Sequence, residues 1–276
     1  MSPAASSLSH EIGRQYDLFQ TSLESVGKER KFLNYGYTVS RAQTYEERQE
    51  RLCLEVFEAA EIGPRDVVVD VGFGSGEQDF LLARTREFGS LIGFNISEKQ
   101  CRYASQRAVA ENVAHRLSFR HGEAEVLDGV SSGSVDRILA IECAFYFDRP
   151  RFYERAAEVL KPGGRVVLAD ISMSDRVGFL DRWGEGYARM GTRSSNRSEW
   201  EEHFRTRSVR SINAWTRPGA QMTVFEILRT APFSGLSRAE RREWFEMAFY
   251  SQLIALGLLL DLVHYDLIVL EKKAVA

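Results

Sequence analysis

A run of glycines behind a single carboxylate is the part of the chain whose residue types most clearly suggest chemistry. It reads Asp70-Val-Gly72-Phe-Gly74-Ser-Gly76 and directly follows the apolar run Val67–Val69. Glycines let a backbone turn sharply, and the free amides of a following helix attract polar or negatively charged ligand groups. The spacing GxGxG, with Glu77 in the place after it, does not fit a dinucleotide fingerprint or a P-loop, which counts against NAD, FAD and ATP. The stretch therefore predicts a site for a small ligand of another kind.

The elements around this stretch alternate between short β-rich runs and longer amphipathic segments, a pattern typical of a parallel sheet covered by helices on both faces. Ser97 is expected to cap the helix that follows it. The predicted strands are Val67–Val71, Ser90–Asn95, Leu117–His121, Val135–Glu142, Arg165–Ile171, Ser208–Trp215 and a last strand, Tyr265–Glu271, that closes the edge. The predicted helices are Glu46–Glu61, Gln78–Glu87, Glu98–Asn112, Pro150–Leu160, Gln221–Thr230 and Arg238–Leu262. We predict an α/β fold with a doubly wound, mostly parallel sheet of seven strands.

Composition excludes several classes of protein. The chain has 276 residues, and 36 Lys and Arg against 39 Asp and Glu give a formal net charge of −3, which argues against a nucleic-acid coat. Cys53, Cys101 and Cys143 have neither CxxC spacing nor histidine partners, so no disulfide framework and no metal site is expected. Residues 1–20 lack a secretory signal pattern, and the longest apolar run, Leu253–Leu260, is much shorter than the roughly 20 residues of a membrane span. We expect a cytoplasmic protein without a membrane span.

Several motifs resemble those of one enzyme family. The glycine stretch resembles motif I of the class I S-adenosylmethionine-dependent methyltransferases, and Val159–Arg165 is similar to the turn before their fifth strand. Three further motifs resemble the erythromycin sugar O-methyltransferase type of small-molecule methyltransferase, namely Asn34-Tyr-Gly-Tyr37, Glu142-Cys-Ala-Phe145 and Phe249-Tyr-Ser-Gln252. The resemblance spans roughly residues 32–273. We expect an N-terminal helical lid (1–45), a cofactor-binding core (46–172), a substrate-binding insertion (173–205) and a C-terminal part of the core (206–276).

The resemblance also implies a cofactor, S-adenosylmethionine, and residues that hold it. The methionine part is assigned to the residues of motif I, namely Asp70, Gly72, Gly74 and Gly76. Asn95 stands where the family usually has an acidic residue for the two ribose hydroxyls. In the subgroup that includes sterol and cyclopropane-fatty-acid methyltransferases, a polar residue followed five places later by Gln does this, and Asn95 with Gln100 has that spacing. The alternative for this pair is a helix cap and a solvated glutamine.

The adenine end is assigned to the turn after the third strand. Glu123, in an acidic-Ala pair with Ala124, is expected to accept from the adenine amino group, because a carboxylate is the right acceptor for it. Glu125 is expected to be solvated surface. Tyr37 is expected to contact the cofactor as well.

Three residues are candidates for catalysis. The end of the fourth strand faces the cofactor's sulfur in such folds, which brings in Glu142 and Tyr146. Relatives with O-methyl activity commonly have His where this chain has Tyr146, and a tyrosine with a free pKa near 10 is a poorer base. Asp170, at the end of the fifth strand, is the other carboxylate that could take the proton of an attacking alcohol.

Three functions remain open at this level. O-methylation of a small, lipophilic secondary metabolite is favoured. Carbon methylation through a carbocation is the alternative, because aromatic faces stabilise such an ion. A scaffold that binds the cofactor without catalysis is the third. The aromatic residues that could wall a lipophilic chamber are Tyr16, Phe19, Phe32, Tyr35, Tyr37, Phe145, Tyr146, Trp183, Tyr187, Trp200 and Phe204.

The expected partner is therefore a small-molecule acceptor and not a nucleic acid. The arginines of 205–217 are better read as a solvated face than as a nucleic-acid groove. The apolar helix Arg238–Leu262 allows a homo-oligomer, and packing on the sheet edge is its alternative.

Overall fold

A computed structural model describes residues 3–25, 27, 32–178, 190–230 and 237–274. The helices are α1 (Pro3–Ser25), α2 (Tyr45–Ala60), α3 (Glu77–Thr85), α4 (Glu98–Ala110), α5 (Arg149–Val159), α6 (Arg193–Glu201), α7 (Asn213–Thr230) and α8 (Arg238–Leu259). The strands are β1 (Val67–Val71), β2 (Ser90–Asn95), β3 (Leu117–His121), β4 (Val135–Ile141), β5 (Leu160–Met173), β6 (Phe204–Ser211) and β7 (Val263–Lys272).

The seven strands form one sheet in the order β3-β2-β1-β4-β5-β7-β6. Neighbours from β3 to β5 pair in parallel, whereas β7 runs antiparallel to both β5 and β6. The prediction of a doubly wound, mostly parallel sheet is confirmed. The chain order reverses between β1 and β4, and the carboxyl ends of these two strands are where such folds bind ligands.

The sequence analysis expected the last strand to close the edge of the sheet, and this prediction is wrong. Residues 264–270 of β7 are buried, so this strand needs a neighbour on each side, and it lies between β5 and β6. Arg205, Arg207 and Arg210 make β6 a charged and largely exposed strand, which suits an edge because charge discourages further pairing.

The boundaries of β6 and α7 also differ from the prediction. The strand expected at Ser208–Trp215 begins at Phe204 and ends at Ser211, and α7 begins at Asn213. The Asn213 side chain fixes the start of α7 to the neighbouring strand β7. Its Oδ1 accepts from Tyr265 N, and its Nδ2 donates to Val263 O. Trp215 lies inside α7, where its ring stacks on that of Tyr37.

The core lies on both faces of the sheet because side chains alternate along each strand. Val68 faces the layer that contains Leu52 and Val56 of α2, while Val69 faces the layer of Phe152 on α5. All five side chains are fully buried, and each contributes about 1.5 to 3 kcal/mol of burial free energy.

Two further helical pieces add to this core: α1 at the α4 side, and the pair α7 and α8, from which Ile254 and Leu258 of α8 join the same buried cluster as Val68. Helix α1 packs on α4, and a Cβ on Gly13 would come within 2.6 Å of the Ile96 carbonyl oxygen, so the two backbones are in close contact. Helices α7 and α8 pack on each other. Within the described ranges, each helix is either too short or too polar to cross a membrane.

Candidate active site

The glycine stretch forms a tight loop between β1 and α3. Gly72, Gly74 and Gly76 all have left-handed backbone conformations, with φ of 73°, 60° and 82°. A Cβ on Gly72 would lie 2.6 Å from the Cys143 Cβ, and one on Gly74 would lie 2.9 Å from a methyl carbon of Leu33. The loop therefore requires glycine for its conformation and for the close approach of its neighbours.

A cavity opens beside this loop at the carboxyl ends of β1, β2 and β4. Gly72 and Gly74 line it, whereas Gly76 lies behind them at the start of α3. Helix α1 contributes Ile12 and Tyr16 to the wall. The other predicted site residues that line it are Asn95, Gln100, Ala124, Glu142 and Tyr146.

Asn95 and Gln100 form a pair in the wall of this cavity. Asn95 Nδ2 donates to Gln100 Oε1 at 2.8 Å and to the Gly74 carbonyl at 3.2 Å, which ties the pair to the glycine loop. The predicted cap is confirmed, because Ser97 Oγ accepts from Gln100 N and holds the first turn of α4. Gln100 Nε2 is buried and has no hydrogen-bond partner among the described residues. An unpaired buried donor is costly, so this atom suits a ligand hydroxyl.

Asp70 lies behind the cavity rather than in its wall. Its side chain is 1% exposed, and its Oδ2 accepts at 2.6 Å from Nε2 of Gln78, which does line the cavity. Burial raises the pKa of Asp70 to about 6, although hydrogen bonds with Asp79 and Gln78 lower it. Burial and the Asp70 charge raise the pKa of Asp79 well above its usual range. The two carboxyl groups therefore share a proton, and Asp70 acts on the cavity through Gln78 and the loop.

The turn after β3 differs from its prediction. Ala124 and Glu125 line the cavity, whereas Glu123 does not, so the expectation that Glu125 is solvated surface is wrong. The amides of Val126 and Leu127 both bond to the Glu123 carbonyl, and this tight turn directs residue 125 inward. Glu125 accepts from Asp148 N at 2.7 Å, and burial raises its pKa.

Glu142 lies at the end of β4 and faces the cavity. Its backbone is in the left-handed region (φ 51°), a strained conformation for a residue with a side chain. Its Oε1 accepts two hydrogen bonds of 2.6 Å, one from Tyr35 N and one from Tyr265 Oη. Burial raises the pKa of Glu142 to about 8, while these two hydrogen bonds act in the opposite direction. At pH 7 this group is therefore mostly protonated, and its carboxylate form becomes available as a base as the pH approaches 8.

Two tyrosines meet beside Glu142. Tyr16 of α1 donates from its hydroxyl to the Tyr146 hydroxyl at 3.2 Å, and the rings form a T-shaped pair. Burial raises the pKa of both groups. Each phenol therefore stays protonated at neutral pH, which makes Tyr146 a weak base where it lies.

Asp170 does not line the cavity. Its Oδ2 contacts Arg149 Nη2 at 3.2 Å, and both side chains line a second, smaller cavity with Tyr153 and Arg193. Burial raises the pKa of Asp170, and the Arg149 charge opposes that effect. Asp170 is thus an ion-paired carboxylate outside the site that the sequence analysis gave it.

Tyr37 does not line the cavity either. Its ring stacks on Trp215 with centroids 5.5 Å apart, and its hydroxyl accepts from Arg210 Nη1. Of the aromatic chamber, Trp200 and Phe204 pack in T-shaped contacts around Tyr153 in the core. Trp183, Tyr187 and the side chain of Phe19 lie outside what the structure describes.

Sequence reasoning missed some residues that form the site. Tyr265 was placed only as the start of a strand, Ile12 carried no motif, and Gln78 follows the glycine stretch but was given no role. The signal for Tyr265 was weak but present, since a tyrosine inside an otherwise apolar strand needs a partner for its hydroxyl. No group of three or more His, Cys, Asp or Glu that could hold a metal ion occurs among the described residues.

The fold and the cavity define a class I methyltransferase architecture. Residues 69–168 match the methyltransferase domain family, and this part of the chain contains the glycine loop and the Asn95–Gln100 pair. The described chain superimposes on the crystal structure of the [4+2]-cyclase SpnF with a TM-score of 0.84, covering 97% of each chain at 19% identity. Residues 69–168 therefore resemble a methyltransferase domain, and the chain has the same fold as this solved structure.

Two curated relatives come from antibiotic producers. The chain is 38% identical over 157 residues to erythromycin 3''-O-methyltransferase of Saccharopolyspora erythraea, covering 56% of this chain and 51% of that enzyme. It is 29% identical over 218 residues to 27-O-demethylrifamycin SV methyltransferase of Amycolatopsis mediterranei, covering 76% and 79%. The match thus spans about half the length of the erythromycin enzyme.

Proposed function

We propose that this protein is an S-adenosylmethionine-dependent O-methyltransferase that acts on a small, lipophilic secondary metabolite. The observation that carries the proposal is the meeting, in one cavity, of the glycine loop, the Asn95–Gln100 pair and the high-pKa carboxylate Glu142. The names of the two relatives add support, because both describe methyl transfer to an antibiotic or its precursor, one of them at oxygen.

The donor set in the cavity fits S-adenosylmethionine. Gln100 Nε2 offers an unsatisfied buried donor to a ribose hydroxyl, and the Gly72–Gly74 backbone offers a surface without side chains to the methionine part. Ala124 and Glu125 lie where the adenine end would bind, with Glu125 replacing Glu123 as our choice of acceptor. When bound, S-adenosylmethionine supplies an electrophilic methyl group to the acceptor oxygen.

Glu142 is the group that we assign as general base. Both of its hydrogen bonds with described residues end on Oε1, so Oε2 is left to accept the hydroxyl proton of the acceptor. A carboxyl group with a pKa near the working pH is well matched to this task. Tyr146 and Tyr16 then orient the acceptor through their hydroxyls.

Helix α1 closes the cavity in this proposal. Ile12 and Tyr16 reach into it, while Asp17 accepts from Ser97 Oγ and from Lys99 N at the start of α4. A closed cavity excludes water and holds the acceptor near the methyl group, which supplies most of the acceleration. We assign residues 173–205 to acceptor binding on the resemblance alone.

Carbon methylation is the second candidate. The centroid of the Tyr146 ring lies 6.1 Å from that of Tyr16 and 4.4 Å from that of Phe145. Aromatic faces of this kind stabilise a carbocation. Glu142 would then remove a proton from carbon. Because SpnF shares this fold and is a cyclase, architecture alone does not decide between these reactions.

A homo-oligomer through α8 is the finer proposal about partners. One face of α8, continued by the residue after its end, carries large apolar side chains that are about half exposed, namely Phe245, Phe249, Leu253, Leu256 and Leu260. The sequence has no charged residue between Glu246 and Asp261. We assign this face to a second copy of the chain, because an antiparallel α8 pair sets the arginines at its start against Asp261.

Sedimentation velocity tests this assignment. We expect a dimer that becomes a monomer in Leu256→Lys, while Val109→Lys, at an exposed position on α4, remains a dimer. A monomeric parent protein at micromolar concentrations would contradict it. The protein is also proposed to be cytoplasmic.

The first test of the function is a calorimetric titration with S-adenosylhomocysteine. We expect binding at roughly 10 μM or tighter, about −7 kcal/mol, and loss of this binding in Asp70→Ala and Gln100→Leu. Gln252→Leu is the matched control, because Gln252 bonds to the α7 backbone and lies outside the cavity. No binding by the parent protein would overturn the cofactor assignment, whereas binding without methylation of any acceptor would support the scaffold.

A further inference from the structure

The hydrogen bond between Tyr265 and Glu142 joins the last strand of the sheet to the proposed base. We propose that Tyr265 is a positioning residue, which fixes Glu142 so that Oε2 faces the acceptor and which favours the ionised form of this carboxyl group by donating to Oε1. The inference rests on the proposed function, because it takes Glu142 as the base. Nothing in the motifs of the family-like segments pointed to this tyrosine.

The geometry of Tyr265 is well defined. It lies on β7 opposite Ile171 of β5, is fully buried, and reaches past β5 to the end of β4. Its backbone is fixed on both sides, since its amide donates to Asn213 Oδ1 and its carbonyl accepts from Ile212 N. The phenol has no freedom to follow a moving carboxylate, so it holds the carboxylate in place.

The two carboxylate oxygens of Glu142 differ in the hydrogen bonds that they accept. Tyr265 Oη and Tyr35 N both donate to Oε1 at 2.6 Å, and Oε2 accepts no hydrogen bond from the described residues. Donors on one oxygen stabilise the anion and leave the other oxygen to act. With S-adenosylmethionine as the donor, the O–C bond to the methyl group would form as the S–C bond breaks, and S-adenosylhomocysteine would leave. The O–H bond of the acceptor would break as well, and its proton would move to Oε2.

Titratable groups face Glu142 from every element around it. They are Tyr16 of α1, Tyr35 of the segment before α2, Tyr45 and Cys53 of α2, Cys143 and Tyr146 after β4, Asp170 of β5 and Tyr265 of β7. Asp170 is the one of these that is acidic enough to be charged at neutral pH, and its charge raises the pKa of Glu142. The neutral donors Tyr265 and Tyr35 lower it, so losing one of them has a visible effect.

The experiment removes the hydroxyl of Tyr265 and measures the effect on the pH profile of kcat/KM, which reports the titration of Glu142. In Tyr265→Phe we expect the midpoint of the pH profile of kcat/KM to rise by about one unit, with about a tenfold loss of kcat/KM below that midpoint and an unchanged affinity for S-adenosylhomocysteine. Tyr153→Phe is the matched control, because Tyr153 is an equally buried tyrosine in the second cavity. It should leave the midpoint in place.

A second readout does not depend on turnover. Carbon-13 NMR of labelled glutamate in the unliganded protein should show the Glu142 carboxyl titrating at higher pH in Tyr265→Phe. Incorporation of 3-fluorotyrosine at position 265, a more acidic phenol of nearly the same shape, should move the titration to lower pH. This opposite shift is informative even if the phenylalanine variant fails to fold.

The outcomes separate the two proposals. An unchanged Glu142 titration in both variants would overturn the positioning role. A shifted titration in a protein whose Glu142→Gln variant keeps full activity would preserve the contact but overturn Glu142 as the base. A kcat/KM midpoint that follows the NMR titration through the variants would establish both.

Discussion

Glu142 and Asp170 are two buried carboxylates on neighbouring strands, and they differ in what compensates their burial. The Glu142 amide bonds to the Ala169 carbonyl at 2.8 Å, so the two side chains start from adjacent points of the sheet. Asp170 contacts the guanidinium of Arg149, whereas Glu142 receives its hydrogen bonds from a phenol and a backbone amide. Burial raises the pKa of both carboxyl groups.

The difference teaches how one sheet edge can hold a structural and a reactive carboxylate side by side. A cation compensates a buried anion, and removing either partner leaves a costly charge behind. Neutral donors compensate the anion less, so its pKa approaches neutrality and a proton can come and go. In our proposal Asp170 is therefore a structural group, and Glu142 is the group available to an acceptor.

The largest expected effect is on turnover in Glu142→Gln. Removing a positioned general base lowers kcat by roughly a hundredfold to ten-thousandfold. The affinity for S-adenosylhomocysteine should stay unchanged, because the cofactor-facing groups Gln100 and Gly72 are not altered. Steady-state kinetics with a methylated acceptor and calorimetry on the same variant measure both quantities. Full activity here, with none in Tyr146→Phe, would make the phenol the base.

The next effect is on stability in Asp170→Asn. The change removes the charge that the buried Arg149 guanidinium contacts, and we expect a loss of about 3 kcal/mol in the free energy of unfolding. Urea denaturation measures it, with Asp261→Asn in the exposed ion pair to Arg176 as the control, expected within about 1 kcal/mol of the parent. The turnover of the folded variant should remain near that of the parent. A loss as deep as in Glu142→Gln would erase the distinction between the two carboxylates.

A smaller effect should appear in the pH dependence of stability. Glu142 titrates near 4.5 when unfolded and near 8 when folded, so the native state binds more protons between these values. By linkage, the stability contributed by this group is fully present below pH 4.5 and is lost as the pH rises through 8, with a slope of up to about 1.4 kcal/mol per pH unit. Glu142→Gln lacks this slope. Thermal unfolding from pH 5 to pH 9 should therefore show the stability of the variant increasing relative to that of the parent protein as the pH rises. A difference in stability that does not change with pH would contradict the high pKa of Glu142.

The smallest expected effect comes from Gly13→Ala. The added Cβ would meet the Ile96 carbonyl oxygen at 2.6 Å, so α1 must shift away from the cavity. Water then reaches Glu142 and lowers its pKa by a fraction of a unit, whereas Asp170 in the second cavity is unaffected. NMR titration of both carboxyl groups compares them directly. Equal shifts would show that α1 is not what separates Glu142 from solvent.

Most of the fold could be predicted because the elements that form it are local. The bounds of β1, β2 and β3 follow from short apolar runs and match the structure residue for residue. The position of β7 could not be predicted in this way, since strand order depends on which edge needs cover and not on any local pattern. The same holds for Trp215, whose packing on Tyr37 favours a helix over a strand.

In the candidate site, too, the parts encoded by residues close together in the sequence could be predicted, and the parts assembled from distant residues could not. The glycine loop and the Asn95–Gln100 pair are encoded within a few residues of each other, and the structure brings them together. The surroundings of Glu142 come from α1, from the segment before α2 and from β7, which lie more than a hundred residues from it along the chain. Asp170 had the right residue type and strand end, but Arg149 on α5 decided its role.

The attachment of α1 has a consequence for the timing of the reaction cycle. Asp17 joins Ser97 at the start of α4, and Lys99 pairs with Glu24 at 2.7 Å across the same junction. The helix that closes over the cavity is thus fastened to the first turn that carries Gln100, and ligand exchange requires this junction to open. Since the Lys99–Glu24 pair is partly exposed to solvent, dissolved salt weakens it. For the proposed enzyme we therefore expect the release rate of the spent cofactor to depend on the detachment of α1 and to increase with ionic strength.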